Sequence, residues 1–204
     1  MTQRVAIICG GRSSEHEISC ISAGGVLSAI DRSKYEPVLI GISKSGNWFL
    51  LPANHSLALS NGVLPIIPEN GTSVALNADG FTAEGKNLNI DIVFPLLHGP
   101  YGEDGTIQGL LEIADIPYVG SGVLASAVAM DKSFAKPIFA SHGIKTAAGF
   151  VARQSEWNAA QAAIQKAADQ LGYPVFVKPA RGGSSRGTTK VKSAAEFASA
   201  VNEA

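Results

Sequence analysis

A histidine and two adjacent acids stand out in "HGPYGEDGTIQG", residues 98–109. The stretch follows the apolar run "IDIVFPLL" and leads into the helical pattern "DGTIQGLLEIA". A histidine at the carboxyl end of a strand, before a glycine-rich turn and a helix, lies where open α/β sheets bind ligands. His98 is therefore a candidate ligand-binding residue, and an ordinary turn with an incidental histidine is the alternative.

A second polar loop follows the first apolar run, in "CGGRSSEHEIS", residues 9–19. A turn from a strand into a helix presents backbone N–H groups and the positive end of the helix dipole, which favours anions. The glycines match neither a dinucleotide-binding fingerprint nor a Walker loop, so dinucleotide binding has little support. Glu15 lies near the helix start, where it either complements the dipole or points into a cleft to hold an ammonium group.

The third stretch is "VKPARGGSSRGTTKV", residues 177–191, in which Lys178 precedes a glycine- and serine-rich loop between two short β runs. Glycines allow the backbone to approach phosphate oxygens, and loop amides and hydroxyls supply donors. Lys178 can neutralise phosphate charge. The pattern predicts phosphate binding, with a flexible linker as the alternative. Lys132, in "MDKSFAK", would on its own be taken as a surface lysine.

Short apolar runs predict the strands that position these residues. They cover residues 4–8, 35–42, 47–51, 91–97 and 116–120. Between the first two, apolar residues at helical spacing predict a helix with one buried face; these are Ile18, Ile21, Val26 and Ile30. Residues 52–90 are rich in Asn, Gly, Pro and Ser, which predicts irregular structure with one or two small strands.

Helical patterns follow at residues 104–114, 121–130 and 131–144, the first capped by Asp104 and the last by Asp131. Pro137 is expected to kink the last of these helices or force it to restart. A long helix after residue 154 would bury one face, made of Trp157, Ala160, Ile164, Ala167 and Leu171.

The end of the sequence predicts one more helix. Strands at "VFVKPA" and "TTKVK" are followed by "SAAE", a capping box of Ser193 and Glu196. The helix that it opens has scarcely three turns before Ala204. We therefore predict an α/β protein with a parallel-sheet, Rossmann-like first domain at residues 1–130. A second domain at 131–204 is expected to be incomplete.

Composition limits the function classes. Hydrophobic residues make up 46% and charged residues 16% of the 204 residues, which is typical of a globular protein. The net charge is −1 and no basic cluster is evident, which argues against a nucleic-acid partner. No apolar run reaches the length of a membrane span, and the first one is too short for a secretion signal. Cys9 and Cys20 lack metal-ligand spacing; free thiols in a cytoplasmic protein are expected, a catalytic thiol being the alternative.

Together, the motifs resemble one family. "GGRSSEHEIS", "HGPYGEDGTIQG", "YVGSGVLASAVAMDK" and "VKPARGGSSRG", in this order, are similar to D-alanine–D-alanine ligases, bacterial cell-wall enzymes of the ATP-grasp superfamily. The resemblance extends along essentially the whole chain. It implies a substrate-side first domain, the first part of an ATP-grasp domain, D-alanine and ATP as substrates, Mg²⁺ as cofactor and a homodimer.

The resemblance also implies roles for particular residues. Glu15 matches the glutamate that holds the amino group of the first D-alanine, and His98 matches the histidine near its carboxylate. Lys132 and Lys178 match the two lysines that contact ATP phosphates. The loop that closes over those phosphates matches Gly182, Gly183, Ser184 and Ser185, and Ser184 has the position that links this loop towards Glu15.

The family reaction transfers phosphate from ATP to the first D-alanine, and the amine of the second attacks the acyl phosphate. Two positions depart from the family pattern: Arg186 replaces a valine in the loop, and Pro137 lies in a helix. The family's adenine hinge, Mg²⁺ ligands and catalytic arginine match no residue here. The alternatives are another ATP-grasp carboxylate–amine ligase, including a D-alanine–D-lactate type, or a non-catalytic truncated fragment that folds and binds ligand without turnover.

Overall fold

The computed structural model describes residues 2–77 and 79–204; Ala78, within the stretch predicted to be irregular, lies outside the described residues. The chain divides into two compact units, Met1–Ala127 and Val128–Ala204. The predicted domain boundary, residue 130, is the last residue of helix α3 (Val123–Met130), and the division between the units falls inside this helix.

The first unit is built on a sheet with a parallel centre and an antiparallel extension. The parallel strands are β1 (Gln3–Gly10), β2 (Tyr35–Ile42) and β7 (Ile92–Pro95). The antiparallel strands are β3 (Trp48–Leu50), β4 (Thr72–Asn77), β5 (Gly80–Ala83) and β6 (Lys86–Asn87). The order across the sheet is β6-β5-β4-β3-β2-β1-β7. The parallel centre confirms the predicted α/β class.

Strand β1 lies between β2 and β7, and both of its faces are buried because an apolar cluster packs against each side of the sheet. Ala6 and Ile8 face one apolar cluster, which includes Ile107 and Leu111 of helix α2 (Thr106–Ile113). Val5, Ile7 and Cys9 face the other, which includes Cys20 and Ala23 of helix α1 (His16–Ala29). Since β1 and β7 run in the same direction, the segments that leave their carboxyl ends meet at one edge of the sheet.

The predicted face of α1 is only partly right: Val26 packs against the core, but the fully buried positions are other residues. The helix buries His16, Ser19, Cys20 and Ala23, whereas Ile18 is 49% exposed. Small and polar residues are buried because the helix lies close to its neighbours: a β-carbon placed on Gly24 would be only 3.0 Å from the Leu57 carbonyl oxygen. The prediction from hydrophobic spacing relied on the larger apolar side chains, and this spacing does not indicate close packing through small residues.

Three further predictions for the first unit need correction. Within residues 52–77 and 79–90 there are three short strands, not one or two. Residues 116–120 form only an isolated bridge between Val93 and Tyr118 instead of a strand. Helix α2 begins at Thr106, after Gly105 in a left-handed conformation, so Asp104 precedes the helix and accepts a hydrogen bond from the Thr106 N–H.

The second unit contains helix α4 (Lys132–Ser141), helix α5 (Gln154–Leu171), the antiparallel pair β8 (Val175–Val177) and β9 (Thr189–Val191), and helix α6 (Ala194–Glu203). Its buried core consists of Trp157, Ala168, Val191, Phe197 and Ala200. The Trp157 indole packs edge-on against Phe197 and donates a hydrogen bond of 2.9 Å to the Asn202 side chain. These contacts fix α5 against α6.

The helix ends of this unit partly match the sequence. Asp131 caps α4 as predicted, accepting from the Ser133 N–H, but the helix runs through Pro137 and the expected restart does not occur. On α5, Ala160 is exposed with non-helical φ/ψ angles, which interrupts the predicted face, and Leu171 is also exposed. At α6 no capping box forms: the Glu196 carboxylate accepts from the Lys192 N–H, and the Ser193 side chain makes no cap hydrogen bond.

In the part of the chain that the structure describes, none of the helices combines the length and apolarity needed to cross a bilayer.

Candidate active site

The carboxyl end of β1 turns sharply towards α1. Gly10 has φ +87°, and a β-carbon there would lie 2.3 Å from the Ile42 carbonyl oxygen, so another residue could not occupy this position without displacing the neighbouring strand. The Gly11 N–H donates to the same carbonyl at 2.7 Å. The glycine pair thereby brings the polar residues that follow it to the edge of the sheet.

Ser13 connects the two polar loops at this edge. Its hydroxyl donates to the His98 carbonyl at 2.7 Å and accepts from the Glu15 N–H at 3.1 Å. Gly99 lies against the Glu15 carboxylate: it has φ +70°, and a β-carbon there would be 3.3 Å from Glu15 Oε1. The structure thus brings Glu15, at the start of α1, next to the His98–Gly99 segment that follows β7.

The loop of residues 98–105, which leads into α2, is held by its own acids. The Gly99 N–H donates to the Glu103 carboxylate at 2.7 Å, and the Tyr101 and Thr106 N–H groups donate to Asp104 at 2.9 and 3.0 Å. Burial opposes the ionisation of Asp104, but the hydrogen bonds from Tyr101 and Thr106 outweigh it and hold the pKa of this carboxyl below its ordinary value. Glu103 and Asp104 therefore shape the loop.

The His98 side chain is held by α1. Ser22 Oγ lies 2.9 Å from His98 Nε2. One turn earlier, the buried Ser19 hydroxyl accepts from the Gly10 N–H at 2.8 Å and donates to the Leu96 carbonyl at 2.6 Å. The sequence analysis missed Ser13, Ser19 and Ser22. Two serines three residues apart at the start of a helix were the available signal, because this spacing places them on one helix face.

A cavity of about 270 Å³ adjoins His98 within the first unit. Its polar lining includes the side chains of Arg12, Ser13 and His98, and the Arg12 guanidinium lies 5.8 Å from the centre of the Tyr101 ring. Its apolar wall consists of Ile42, Trp48, Leu97, Ile107 and Leu110. The cavity offers space for a small molecule beside the imidazole.

Both cysteines are free and fully buried, which confirms the prediction of free thiols. A hydrogen bond with Cys20, together with burial, raises the pKa of the Cys9 thiol. Neighbouring His16 is held by backbone groups, with Nδ1 2.7 Å from the Gly11 carbonyl and Nε2 accepting from the Ile67 N–H at 3.0 Å. These residues pack the helix against the sheet, and their burial leaves no thiol exposed for nucleophilic attack on a substrate.

In the second unit, Lys132 contacts the glycine- and serine-rich loop. Lys132 Nζ donates to the Gly182 carbonyl at 2.6 Å, and its backbone N–H donates to the Ala180 carbonyl at 3.0 Å. Asp131 pairs with Arg181 Nε at 2.9 Å. The hydrogen bond from Arg181, and to a lesser extent that from Ser133, lowers the pKa of Asp131 to about 2. Lys132 is therefore not an isolated surface lysine.

The loop itself has an uncommon backbone. Ser184 and Ser185 have φ angles of 50° and 58°, in the left-handed region that non-glycine residues seldom adopt. Two turn hydrogen bonds follow, from Arg186 N–H to the Gly183 carbonyl and from Thr188 N–H to the Ser185 carbonyl. Lys178 is exposed directly after β8, where the loop begins. Consecutive residues in such turns can present N–H groups that bind anions.

The predicted residues thus fall into two groups. Glu15 and His98 lie together in the first unit, and Lys132 lies against the loop of Gly182, Gly183, Ser184 and Ser185 in the second, with Lys178 at its start. Over residues 2–77 and 79–204, the structure shows no cluster of three His, Cys, Asp or Glu side chains arranged to hold a metal ion.

Comparison with family models assigns both units. The model of the D-ala D-ala ligase N-terminus matches residues 4–121, and that of the D-ala D-ala ligase C-terminus matches residues 138–204. The chain belongs to the D-alanine–D-alanine ligase family. It is 50% identical to the D-alanine–D-alanine ligase of Paenarthrobacter aurescens, over 98% of this chain and 56% of that protein. It is 51% identical to the one from Rhodococcus erythropolis, over 92% of this chain and 53% of that protein. The chain therefore spans about half the length of the curated relatives that it matches.

Solved structures of ligases have the same fold. The D-alanine–D-alanine ligase from Coxiella burnetii superposes with a TM-score of 0.84 at 32% identity, covering 99% of this chain and 60% of that one. The VanG D-Ala:D-Ser ligase from Enterococcus faecalis gives 0.82 at 33% identity, covering 100% and 60%. The fold of this family member is thus shared with ligases whose names give different second substrates.

Proposed function

We propose that these residues serve the ATP-dependent joining of two D-alanines to D-alanyl-D-alanine in the parent protein, through an acyl phosphate and for peptidoglycan precursor synthesis. One observation supports this most directly: the Ser13 hydroxyl joins the Glu15 N–H to the His98 carbonyl at the edge where β1 and β7 end. This link between the two segments supports a site in which the Glu15 carboxylate and the His98 imidazole would serve one amino acid, which has an ammonium and a carboxylate group to bind.

In this proposal Glu15 binds the ammonium group of the first D-alanine and His98 lies at its carboxylate. A charged hydrogen bond of this kind contributes about 1.5–3 kcal/mol to binding. Gly99 cannot be replaced without crowding Glu15, because even a β-carbon would lie 3.3 Å from the carboxylate oxygen. Glycine at position 99 therefore leaves room for the Glu15 carboxylate beside the backbone that follows His98.

Lys132, Lys178 and the loop would bind the phosphates of ATP. Lys178 is exposed at the start of the loop, and Lys132 already donates to a loop carbonyl. Ammonium groups, loop amides and the hydroxyls of Ser184 and Ser185 together offset clustered negative charge, and a closed loop excludes the water that would hydrolyse an acyl phosphate. Mg²⁺ would neutralise phosphate charge, but no residue of this chain is matched to its ligands, so we assign none here.

The partners and compartment are also proposals. Ile113 of α2 is 89% exposed and Leu124 of α3 is 78% exposed, which supports these helices as the contact surface of a homodimer. Free cysteines are typical of reducing compartments, which supports a cytoplasmic location. A second copy of the chain, D-alanine and ATP are thus the expected partners.

The second substrate has one specific alternative. The VanG structure, at a TM-score of 0.82, is named as a D-Ala:D-Ser ligase, and D-lactate is the further alternative from the sequence. All three share the first D-alanine, so the proposed roles of Glu15 and His98 are the same in each. The relatives named as D-alanine–D-alanine ligases favour D-alanine.

The test is a coupled assay on the parent protein with ATP, Mg²⁺ and D-alanine, in which phosphate release and dipeptide are measured together. Glu15→Gln keeps the shape and removes the charge, so it should raise the KM for the first D-alanine at least tenfold, roughly the worth of a charge-assisted hydrogen bond. Glu36→Gln, at an exposed residue of β2 paired with Arg4, is the control. D-alanine-independent phosphate release, or equal KM values for both variants, would contradict the proposal. Adding D-serine or D-lactate identifies the second substrate.

A further inference from the structure

Ser22 is a residue that neither the motifs nor the proposed roles use, although it contacts His98 directly. Its hydroxyl oxygen lies 2.9 Å from His98 Nε2. The contact joins the second turn of α1 to the segment after β7. A neutral imidazole has one N–H donor and one acceptor nitrogen, and the partner of one nitrogen determines the role of the other.

The helix that carries Ser22 is anchored beside the segment that follows β7. Ser19, three residues earlier on the same helix face, is fully buried and bonded to both Gly10 and Leu96. Leu96 and His98 are two residues apart in the segment that leaves β7, and each is bonded by one of the two serines. The backbone of His98 is held as well, since its carbonyl accepts from Ser13. The imidazole is therefore restrained at the ring and at the backbone.

The remaining ring nitrogen, Nδ1, has no protein hydrogen bond in the range 2–77 and 79–204, and His98 lines the cavity of the first unit. In the proposed function this histidine lies at a substrate carboxylate. A carboxylate accepts hydrogen bonds and cannot donate them, so a neutral imidazole fits only when the nitrogen facing it carries the proton. A lone pair at Nδ1 would repel the ligand.

We propose that Ser22 is a positioning residue: its hydroxyl donates to His98 Nε2 and thereby keeps the proton on Nδ1, the nitrogen available to the substrate. This inference rests on the proposed function for the identity of the ligand. The choice of tautomer is a property of the protein that can be observed without substrate.

The test is a two-bond ¹H–¹⁵N spectrum of the imidazoles in the histidine-labelled chain, at about pH 8.5, two units above the ordinary pKa of histidine. The chain has four histidines, and His98→Gln assigns the signal of interest. We expect His98 to show an unprotonated Nε2 and a protonated Nδ1. Ser22→Ala should shift its population towards the Nε2–H form, and Ser22→Thr, which keeps a hydroxyl, should retain the original form.

Ser28→Ala is the matched control, because Ser28 is on the same helix and bonds only the Gly25 carbonyl. It should leave the His98 signals unchanged. A protonated Nε2 in the original chain, or identical His98 signals before and after Ser22→Ala, would overturn the proposal.

Kinetics of the parent protein separate this inference from the proposed function. Ser22→Ala should raise the KM for the first D-alanine about two- to tenfold, the worth of one neutral hydrogen bond, while the KM for ATP stays the same. If the tautomer changes as expected but the KM for D-alanine does not, the tautomer assignment stands and the role of His98 at the carboxylate is wrong. If the KM for D-alanine rises with no change in the His98 signals, Ser22 acts in another way and the inference is wrong.

Discussion

Removal of the Ser19 hydroxyl should destabilise the first unit strongly. The side chain is fully buried and satisfies two backbone groups, the Gly10 N–H at 2.8 Å and the Leu96 carbonyl at 2.6 Å. Ser19→Ala leaves both groups without this partner. A buried polar group that loses its partner costs about 1–3 kcal/mol, so with two such groups the free energy of unfolding should fall by about 2–6 kcal/mol.

The assay is urea unfolding followed by tryptophan fluorescence. The chain has two tryptophans, Trp48 in the first unit and Trp157 in the second. In a Trp157→Phe background, fluorescence reports the first unit alone. Ser28→Ala, on the exposed part of the same helix, is the control and should change the free energy of unfolding by less than about 0.5 kcal/mol. A loss below about 1 kcal/mol for Ser19→Ala would show that water or a shift of the backbone replaces the hydroxyl, and the reasoning would fail.

Three further predictions concern the second unit and the reaction. The pKa of Asp131 is lowered from 3.8 to about 2 in the folded chain, so its contribution to stability is complete above pH 3.8 and is lost as the pH falls towards 2. In Asp131→Asn, the free energy of unfolding of the second unit, monitored by Trp157 fluorescence, should therefore depend less on pH over this range. Lys178→Ala should weaken ATP binding to the parent protein by about tenfold or more, as expected for a charge-assisted phosphate contact. The control Lys190→Ala, at an exposed position of β9, should leave ATP binding unchanged. Equal affinities of the two variants in titration calorimetry would refute the role of Lys178 in phosphate binding. The 204-residue chain, incubated with ATP, Mg²⁺ and D-alanine, should form no dipeptide, because the family's Mg²⁺ ligands and catalytic arginine match none of its residues; turnover near that of a full ligase would contradict this.

The sequence predicted the elements better than it predicted what they bury. Strand β2 has the bounds expected from its apolar run, and Asp131 caps α4 as expected. The fully buried positions of α1 were missed because serines and small residues pack there against the sheet. Hydrophobic periodicity identifies apolar faces only, and a face buried through hydrogen bonds to another strand carries no such signal.

For the candidate site too, the sequence predicted part of the structure and missed the rest. The resemblance supplied the residue types at Glu15, His98 and Lys132, because each lies in a recognisable motif. The contacts that hold them were not predictable: Ser13 and Ser22 reach residues far along the chain, and Lys132 reaches Gly182. Contacts of this range depend on the tertiary fold, which local patterns do not encode.

The antiparallel extension β3–β6 joins the sheet beside β2, whereas the candidate site follows β1 and β7. Its last hairpin, between β5 and β6, turns at Glu84 and Gly85, which both have positive φ angles and are exposed. Extending a surface loop costs little, about 0.6 kcal/mol for each doubling of its length. This hairpin is therefore a permissive place for a peptide tag, a fluorophore or an affinity handle. An insertion there is expected to let the protein be captured or imaged without disturbing the residues around Glu15 and His98.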